Sequence, residues 1–364
     1  KDAIRIARQL IALDFPDEPQ EGRPYRLKEK AYFILGDVLN RLGRGDEAAD
    51  TFRRALELYP DSYFAKDMKL MLGTHYFAQG ELDSARTLFA GLLEEGLDSE
   101  GTRIARFYLA NIYYSSREFR RAEEAFRRLL KDYPRAREMP DILFGLAESL
   151  YQLGRFQEAL GYYRRIVREF PGSAPADDAQ YNTAWCLIEL GKEDEAMDAL
   201  RQLLRRYPGS EFAASAQFTL GDYLYNHGRY REAMEAYRKV LERYPDDPVA
   251  AKVPRLIKEV EEALAYQELE RGIALMDSAE ATGNKGFYER AIGVFQGILD
   301  RYPDTESAVG ALGNIGVCLE GLGRWREAVK MYDRVIELYE QKRASRDAWQ
   351  FAKVHKEWIV KTRL

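Results

Sequence analysis

The sequence predicts an all-α protein, a right-handed α-solenoid of stacked helix–turn–helix units, and three observations carry that prediction. Tyr-Pro or Phe-Pro pairs punctuate the chain at Tyr59-Pro60, Tyr133-Pro134, Phe170-Pro171, Tyr207-Pro208, Tyr244-Pro245 and Tyr302-Pro303, stepping by 37 residues from Pro134 to Pro245. An alanine keeps the same beat twelve residues earlier, at Ala48, Ala85, Ala122, Ala159, Ala196, Ala233, Ala291 and Ala328. A small residue keeps it twelve earlier again, at Gly36, Gly73, Ala110, Ala147, Ala184, Gly221, Ala279 and Gly316. Such a period marks a repeat architecture, in which no unit buries its apolar face alone and neighbours must stack.

The elements follow in order. Residues 1–28 read as a partial leading repeat and loop: Asp2 to Leu13 is helical, with Ile4, Ile6, Ala7, Leu10 and Ile11 apolar, and Phe15-Pro16 suits the end of a second helix. Asp17 to Tyr25, with Pro19 and Pro24, reads as a loop. Six units fill 29–250, each with two amphipathic helices. In the unit near Ser210, apolar residues fall at Phe212, Ala216, Leu220, Leu224, Ala233, Tyr237, Val240 and Leu241, a helical spacing, and Gly228 with Arg229 makes the turn. Ser62, Ser99, Ser173, Ser210 and Thr305 stand where a side-chain oxygen caps the next helix.

The period then breaks, because Ala233 and Ala291 are 58 residues apart. The extra segment, 251–271, carries Leu256, Ile257, Val260 and Leu264 at helical spacing, with Pro254 near its start. It predicts either a first helix lengthened by about six turns or a separate inserted helix. Its role is that of a structural spacer or of a junction between two sub-solenoids that also offers a docking surface. Two more units fill 272–345, and 346–364 is a terminal helix whose Trp349, Phe351, Trp358 and Ile359 are too apolar for a simple polar cap. The chain starts at Lys1 inside a helical pattern, so any targeting segment is expected upstream of it.

Composition narrows the function. The 364 residues carry 60 acidic and 55 basic side chains, a net charge of −5, which gives no long-range attraction for nucleic acid. There are 24 Tyr and 17 Phe but only 3 His and 2 Cys, too few for metal chemistry or a disulfide framework. Cys186, Cys318 and His75 share one phase of the repeat and read as core filler; the two cysteines are three repeats apart, too far for a disulfide. Acidic pairs such as Asp177-Asp178 and Glu261-Glu262 read as solvated helix faces, and no phosphate-cradling loop or catalytic motif is present. No catalytic residue, metal or cofactor is expected. No stretch approaches the roughly 18 apolar residues of a membrane span.

The repeat resembles the tetratricopeptide repeat, whose features read here as Tyr32-x2-Leu35-Gly36-x2-Leu39, then Ala48-x3-Phe52, Ala55 and Pro60. Its alanine-x3-aromatic element recurs as Ala85/Phe89, Ala122/Phe126, Ala159/Tyr163, Ala233/Tyr237, Ala291/Phe295 and Ala328/Tyr332, with Leu200 replacing the ring after Ala196. The unit is 37 residues rather than about 34. That longer form, with its Tyr-Pro-x-Ser junction, is similar to the repeats of bacterial envelope proteins. The Tol–Pal-associated periplasmic protein and the repeat lipoprotein of the outer-membrane assembly machine are examples.

The resemblance implies a concave groove lined by first helices, at positions three before, one after and four after the small residue. Those positions give Phe107, Asn111 and Tyr114; Phe144, Glu148 and Tyr151; Tyr181 and Trp185; and Phe218, Asp222 and Tyr225, with Phe33, Asp37, Met276 and Glu280 in the flanking repeats. Aromatics with a polar tip are good recognition anchors, although the same rings could only pack one first helix against the next. The acids Asp37, Glu148, Asp222 and Glu280 favour a bound segment with some basic character.

The implied function is a non-enzymatic scaffold that binds a partner polypeptide, as a peptide or helical segment, within a multiprotein complex. A periplasmic or envelope location follows from the repeat form. The alternatives are a cytoplasmic adaptor, a structural subunit using convex and edge surfaces, and an accessory region of an enzyme whose chemistry lies elsewhere. Single-stranded RNA binding is disfavoured by the acidic groove and the lack of a basic stripe.

Overall fold

The computed structural model describes residues 2–15, 17–19 and 25–364, all helical or connecting. Pro16 of the Phe15-Pro16 pair and much of the expected 17–25 loop, Pro24 included, lie outside the described residues. The chain divides into two compact units, residues 1–199 and 200–364.

The first unit holds α1 (Asp2–Ala12), α2 (Leu27–Arg41), α3 (Gly45–Leu58), α4 (Ala65–Ala78), α5 (Leu82–Glu95), α6 (Ser99–Ser115), α7 (Phe119–Asp132), α8 (Met139–Gln152), α9 (Phe156–Glu169), α10 (Ala176–Glu189) and the start of α11 (Glu193–Arg206). Each helix from α1 to α9 packs on the next, and α4 also touches α6, α6 touches α8 and α8 touches α10. First helices are thus neighbours, whereas between the second helices α5 and α7 a cleft of about 660 Å³ opens over α6. The first-helix side of this stretch is therefore the tighter one.

The period has a packing cause. All eight phase-keeping alanines are buried, none more than 2 % exposed. They let the second helix lie close to the first, and one turn later the rings of Phe52, Phe89, Phe126, Tyr163, Tyr237, Phe295 and Tyr332 are sealed between helices. Sealing each such ring is worth about 2–3 kcal/mol. The glycines at the small position are required by those rings: a Cβ on Gly36 would stand 2.2 Å from Phe52, and one on Gly221 2.6 Å from Tyr237. Turns between paired helices use a left-handed residue, Gly at 43, 80, 154, 191, 228 and 323, with Arg117 (φ 60°) at the same place in the third repeat.

The capping expectation holds only at Thr305, whose side chain accepts from the Ala308 N–H. Asp98, not Ser99, caps α6. At Ser62 and Ser210 the hydroxyl accepts from the N–H two residues on, at 3.1 and 3.2 Å, and Ser173 donates to the Phe170 carbonyl. The cause is a turn after Pro60, Pro171 and Pro208 that starts the next helix three residues beyond the serine, so these side chains serve the turn instead.

The second unit holds the rest of α11, then α12 (Ala213–Asn226), α13 (Tyr230–Arg243), a 3-10 turn (Pro248–Lys252), α14 (Val253–Thr282), α15 (Gly286–Arg301), α16 (Glu306–Gly321), α17 (Trp325–Glu340) and α18 (Arg346–Thr362). The extra segment forms no separate helix: α14 is a single helix of 30 residues. It exceeds the 14-residue α12 by about four turns, not six, because the 3-10 turn takes up part of the insertion. Val253, Val260 and Leu264 belong to a core with α12 and α13. Ala265 and Met276 belong to a second core with α15 to α18.

The register also shifts here. The ring of Phe295 sits over Gly272, where a Cβ would come within 2.2 Å, not over the expected Ala279. The reason lies in the joint, since α14 ends in a left-handed Gly283 and α15 starts five residues ahead of Ala291 rather than three. The slip carries Met276 into the core and leaves Glu280 exposed, so neither takes the groove position expected of it.

Candidate functional site

The positions singled out from the sequence lie on the first helices. In the first unit, α6 carries Phe107, Asn111 and Tyr114, α8 carries Phe144, Glu148 and Tyr151, and α10 carries Tyr181 and Trp185, all partly buried. Spacings of three, four and seven put each set on one face of its helix. In the second unit, α12 carries Phe218, Asp222 and Tyr225, also partly buried. Phe144 and Phe218 lean on the core rings Tyr163 and Tyr237, each with centroids 5.9 Å apart. Tyr114, Tyr151 and Tyr225 rest against the first residue of the following helix, Phe119, Phe156 and Tyr230, at 5.2–5.6 Å. Tyr181 and Trp185 meet edge to face at 6.0 Å. Phe144, Phe218, Tyr114, Tyr151 and Tyr225 are thus braced by a ring of another helix, while Tyr181 and Trp185 support each other side by side, and part of each ring stays open to solvent, as in an anchor with little rotamer freedom left to lose.

Polar groups knit the face. Glu148 accepts from the Tyr114 hydroxyl at 2.8 Å, from the Asn182 side-chain amide at 2.7 Å, and from the Tyr163 hydroxyl. One carboxylate therefore joins α6, α8, α9 and α10. The Tyr237 hydroxyl likewise donates to Asp222 at 2.6 Å. Burial, with the adjoining carboxylate, pushes the phenols of Tyr114, Tyr163 and Tyr237 well above the usual tyrosine range. Burial also lifts the Asp222 carboxyl above its ordinary value, against the opposing pull of Tyr237 and Lys252. Asn111 turns its amide to the Phe107 carbonyl at 2.8 Å.

Sequence reasoning missed Asn182 and the reach of Tyr163. The sequence held no general signal for it: the residue after the small position is an acid beside Tyr163 and Tyr237, Glu148 and Asp222, but it is also an acid, Asp37, beside Phe52, and it is Val317 beside Tyr332. Where the ring is Phe89 or Phe126, the matching residue is Thr74 or Asn111.

Elsewhere the chemistry is structural. Cys186 and Cys318 are fully buried free thiols, which burial pushes up to about 12. His75 keeps 15 % of its side chain exposed and faces Asp46 at 3.6 Å, so it is less enclosed than the two cysteines that share its phase. Among the described residues no group of three His, Cys, Asp or Glu side chains could hold a metal, and no helix is long and apolar enough to cross a membrane.

Family models of the tetratricopeptide repeat match residues 1–63 and 107–174, 39–104 and 150–218, 214–247, and 311–344. No curated protein matches the chain. Among solved structures, the C-terminal part of a TPR repeat-containing protein from Cytophaga hutchinsonii is similar. It is 16% identical over 77% of this chain and 99% of that one, with a TM-score of 0.51. YrrB, a TPR protein with an unusual peptide-binding site, is 22% identical over 57% of this chain and 99% of its own, with a TM-score of 0.42. TTC0263, a thermophilic TPR protein of Thermus thermophilus, is 23% identical over 54% of this chain and 98% of its own, with a TM-score of 0.36.

Proposed function

Because the chain belongs to the tetratricopeptide-repeat family, we propose that it is a non-enzymatic protein–protein interaction scaffold. Its first-helix face holds a segment of a partner polypeptide. The observation that carries this reading is the run of partly open rings on α6, α8 and α10, from Phe107 to Trp185, in which Tyr114 and Tyr151 are braced by the following helix and Tyr181 and Trp185 by each other. Aromatic side chains already fixed from behind bury much area at little entropic cost, and a polypeptide is the ligand that offers side chains at matching intervals. Phe218, Asp222 and Tyr225 offer a similar surface on α12. The family works in general through such contacts and not through catalysis.

The test is alanine replacement at Tyr151, Trp185 and Tyr225 in the full chain, followed by partner capture and circular dichroism. Each replacement is expected to weaken capture while helix content holds. Undiminished capture by the triple variant would sink the reading.

Placement in a bacterial cell-envelope complex is part of the proposal and is supported by the 37-residue unit with its Tyr-Pro-x-Ser junction. Fractionation of cells expressing the full-length gene product tests it, and recovery solely from the cytoplasm would favour a cytoplasmic adaptor. A second reading, a structural subunit that uses edge surfaces, is favoured by α18, where Phe351, Val354 and Trp358 remain 40–58 % exposed.

A further inference from the structure

Resting on the groove reading above, we infer that Glu148 is the subsite that receives a lysine or arginine side chain of the bound segment. Four first-helix acids were candidates, and the structure separates them. Asp37 is already paired with Arg41 of its own helix at 3.0 Å. Asp222 accepts from Tyr237 at 2.6 Å and has Lys252 near it. Glu280 is exposed near the end of α14, out of groove register. Glu148 alone of the four is a half-buried carboxylate whose hydrogen-bond partners among the described residues, Tyr114, Tyr163 and Asn182, are all neutral.

An ionised carboxylate offers about four acceptor positions on its two oxygens. Oε1 serves Tyr163 and Asn182, whereas Oε2 serves Tyr114 alone, so one acceptor position stays open. Neutral dipoles hold a carboxylate in place but leave its charge uncompensated, and a charge partly removed from water gains most from a cation. The surroundings agree with that sign of the field. Burial chiefly, and then the Glu148 carboxylate, raise the Tyr114 and Tyr163 phenols and the Cys186 thiol, and at Tyr151 burial and Glu189 act ahead of Glu148 in the same sense.

The frame also suits a long basic side chain. Tyr151 lies one turn beyond Glu148 on α8, and Tyr114 reaches the carboxylate from α6. Two aromatic rings beside an anion accept the apolar stem of Lys or Arg as well as its charged head.

The experiment presents the full chain with an array of twelve-residue peptides, each basic position also made as acetyl-lysine or citrulline. The wild-type protein is expected to prefer Lys or Arg at one position by about ten- to a hundredfold over the neutral analogue, the range of a charge-assisted hydrogen bond. Glu148→Gln, which keeps one acceptor oxygen for Tyr163 and Asn182 and offers an amide N–H to the Tyr114 hydroxyl oxygen, is expected to erase that preference while aromatic-dependent binding persists. Tyr114→Phe removes one neutral donor and is expected to deepen the preference, and it carries the test should the Gln variant fail to fold.

A preference unchanged in Glu148→Gln, unmoved or weakened in Tyr114→Phe, or absent from the wild type overturns the assignment while leaving the groove reading intact. Peptide binding that is absent, or indifferent to Tyr151→Ala and Trp185→Ala, overturns the groove reading itself and the assignment with it.

Discussion

Adding one methyl group at Gly272 is expected to loosen the joint between α14 and α15. The ring of Phe295 lies so close that a Cβ there would stand 2.2, 2.6 and 2.8 Å from three of its carbons. Phe295 is fully buried and cannot swing into solvent, so the helices must part or the ring must leave its rotamer. Overpacking of this kind costs about 1–3 kcal/mol. Alanine also gains about 1 kcal/mol over glycine in helix preference, so the net loss is up to about 2 kcal/mol.

Gly293, on the facing helix, supplies the control, because an added Cβ meets nothing within 4 Å. Gly293→Ala is expected to stabilise by up to about 1 kcal/mol. The assay is urea unfolding followed by circular dichroism, with hydrogen exchange at α15 to locate the effect. Opposite signs for the two substitutions are expected, and Phe295→Leu should recover part of the loss in Gly272→Ala. If Gly272→Ala stabilises the protein as much as Gly293→Ala does, the close-packing argument is refuted.

Other outcomes are equally specific. Asp222→Asn, which still accepts from Tyr237, should raise the melting temperature at pH 7. The raised folded-state carboxyl means that the native state binds more protons than the unfolded chain just above the ordinary aspartate range. Wild-type stability should therefore fall as pH rises through that window, and melts from pH 4 to 7 should show that slope flattened in the variant. Cys186 and Cys318, fully buried and with thiols pushed up to about 12, should resist an aromatic disulfide reagent in the native protein and react on unfolding. Thr305→Ala should cost about 1 kcal/mol through loss of the α16 cap. Ser173→Ala, whose hydroxyl only donates to the Phe170 carbonyl, should cost less in the same melting experiment.

Much of this fold was legible because each repeat must reuse the same solution to the same packing problem. An alanine that admits a neighbouring helix cannot vary freely, so Ala48 and its seven counterparts announce the period. The tyrosines before proline mark helix ends for an equally local reason: Tyr59 and Tyr244 form C-caps just before a residue that cannot continue the helix. What escaped the sequence depends on three-dimensional register. The slip from Ala279 to Gly272 follows from the geometry of one turn, and a repeat aligned by its alanine cannot reveal it. Glu148 illustrates the other limit. Its position on the first-helix face was readable, but the donors that hold it come from α6, α9 and α10, up to 34 residues away. Periodicity treats those positions separately, and the acid after the small residue does not track the ring type, since Asp37 accompanies Phe52 and Val317 accompanies Tyr332.

α14 holds the remaining consequence. Repeat arrays ordinarily come apart one module at a time, since each module touches only its neighbours. A rod of 30 residues, about 45 Å long, gives its first half to one core and its second half to another. Melting either end exposes a stretch of the same helix, so neither core can be lost without eroding the other. Where the periodic segments resemble beads on a string, this stretch behaves as a splint. Under mechanical load the residues flanking it should yield first, and a protease acting on the partly opened chain should leave α13 to α16 as a lasting fragment.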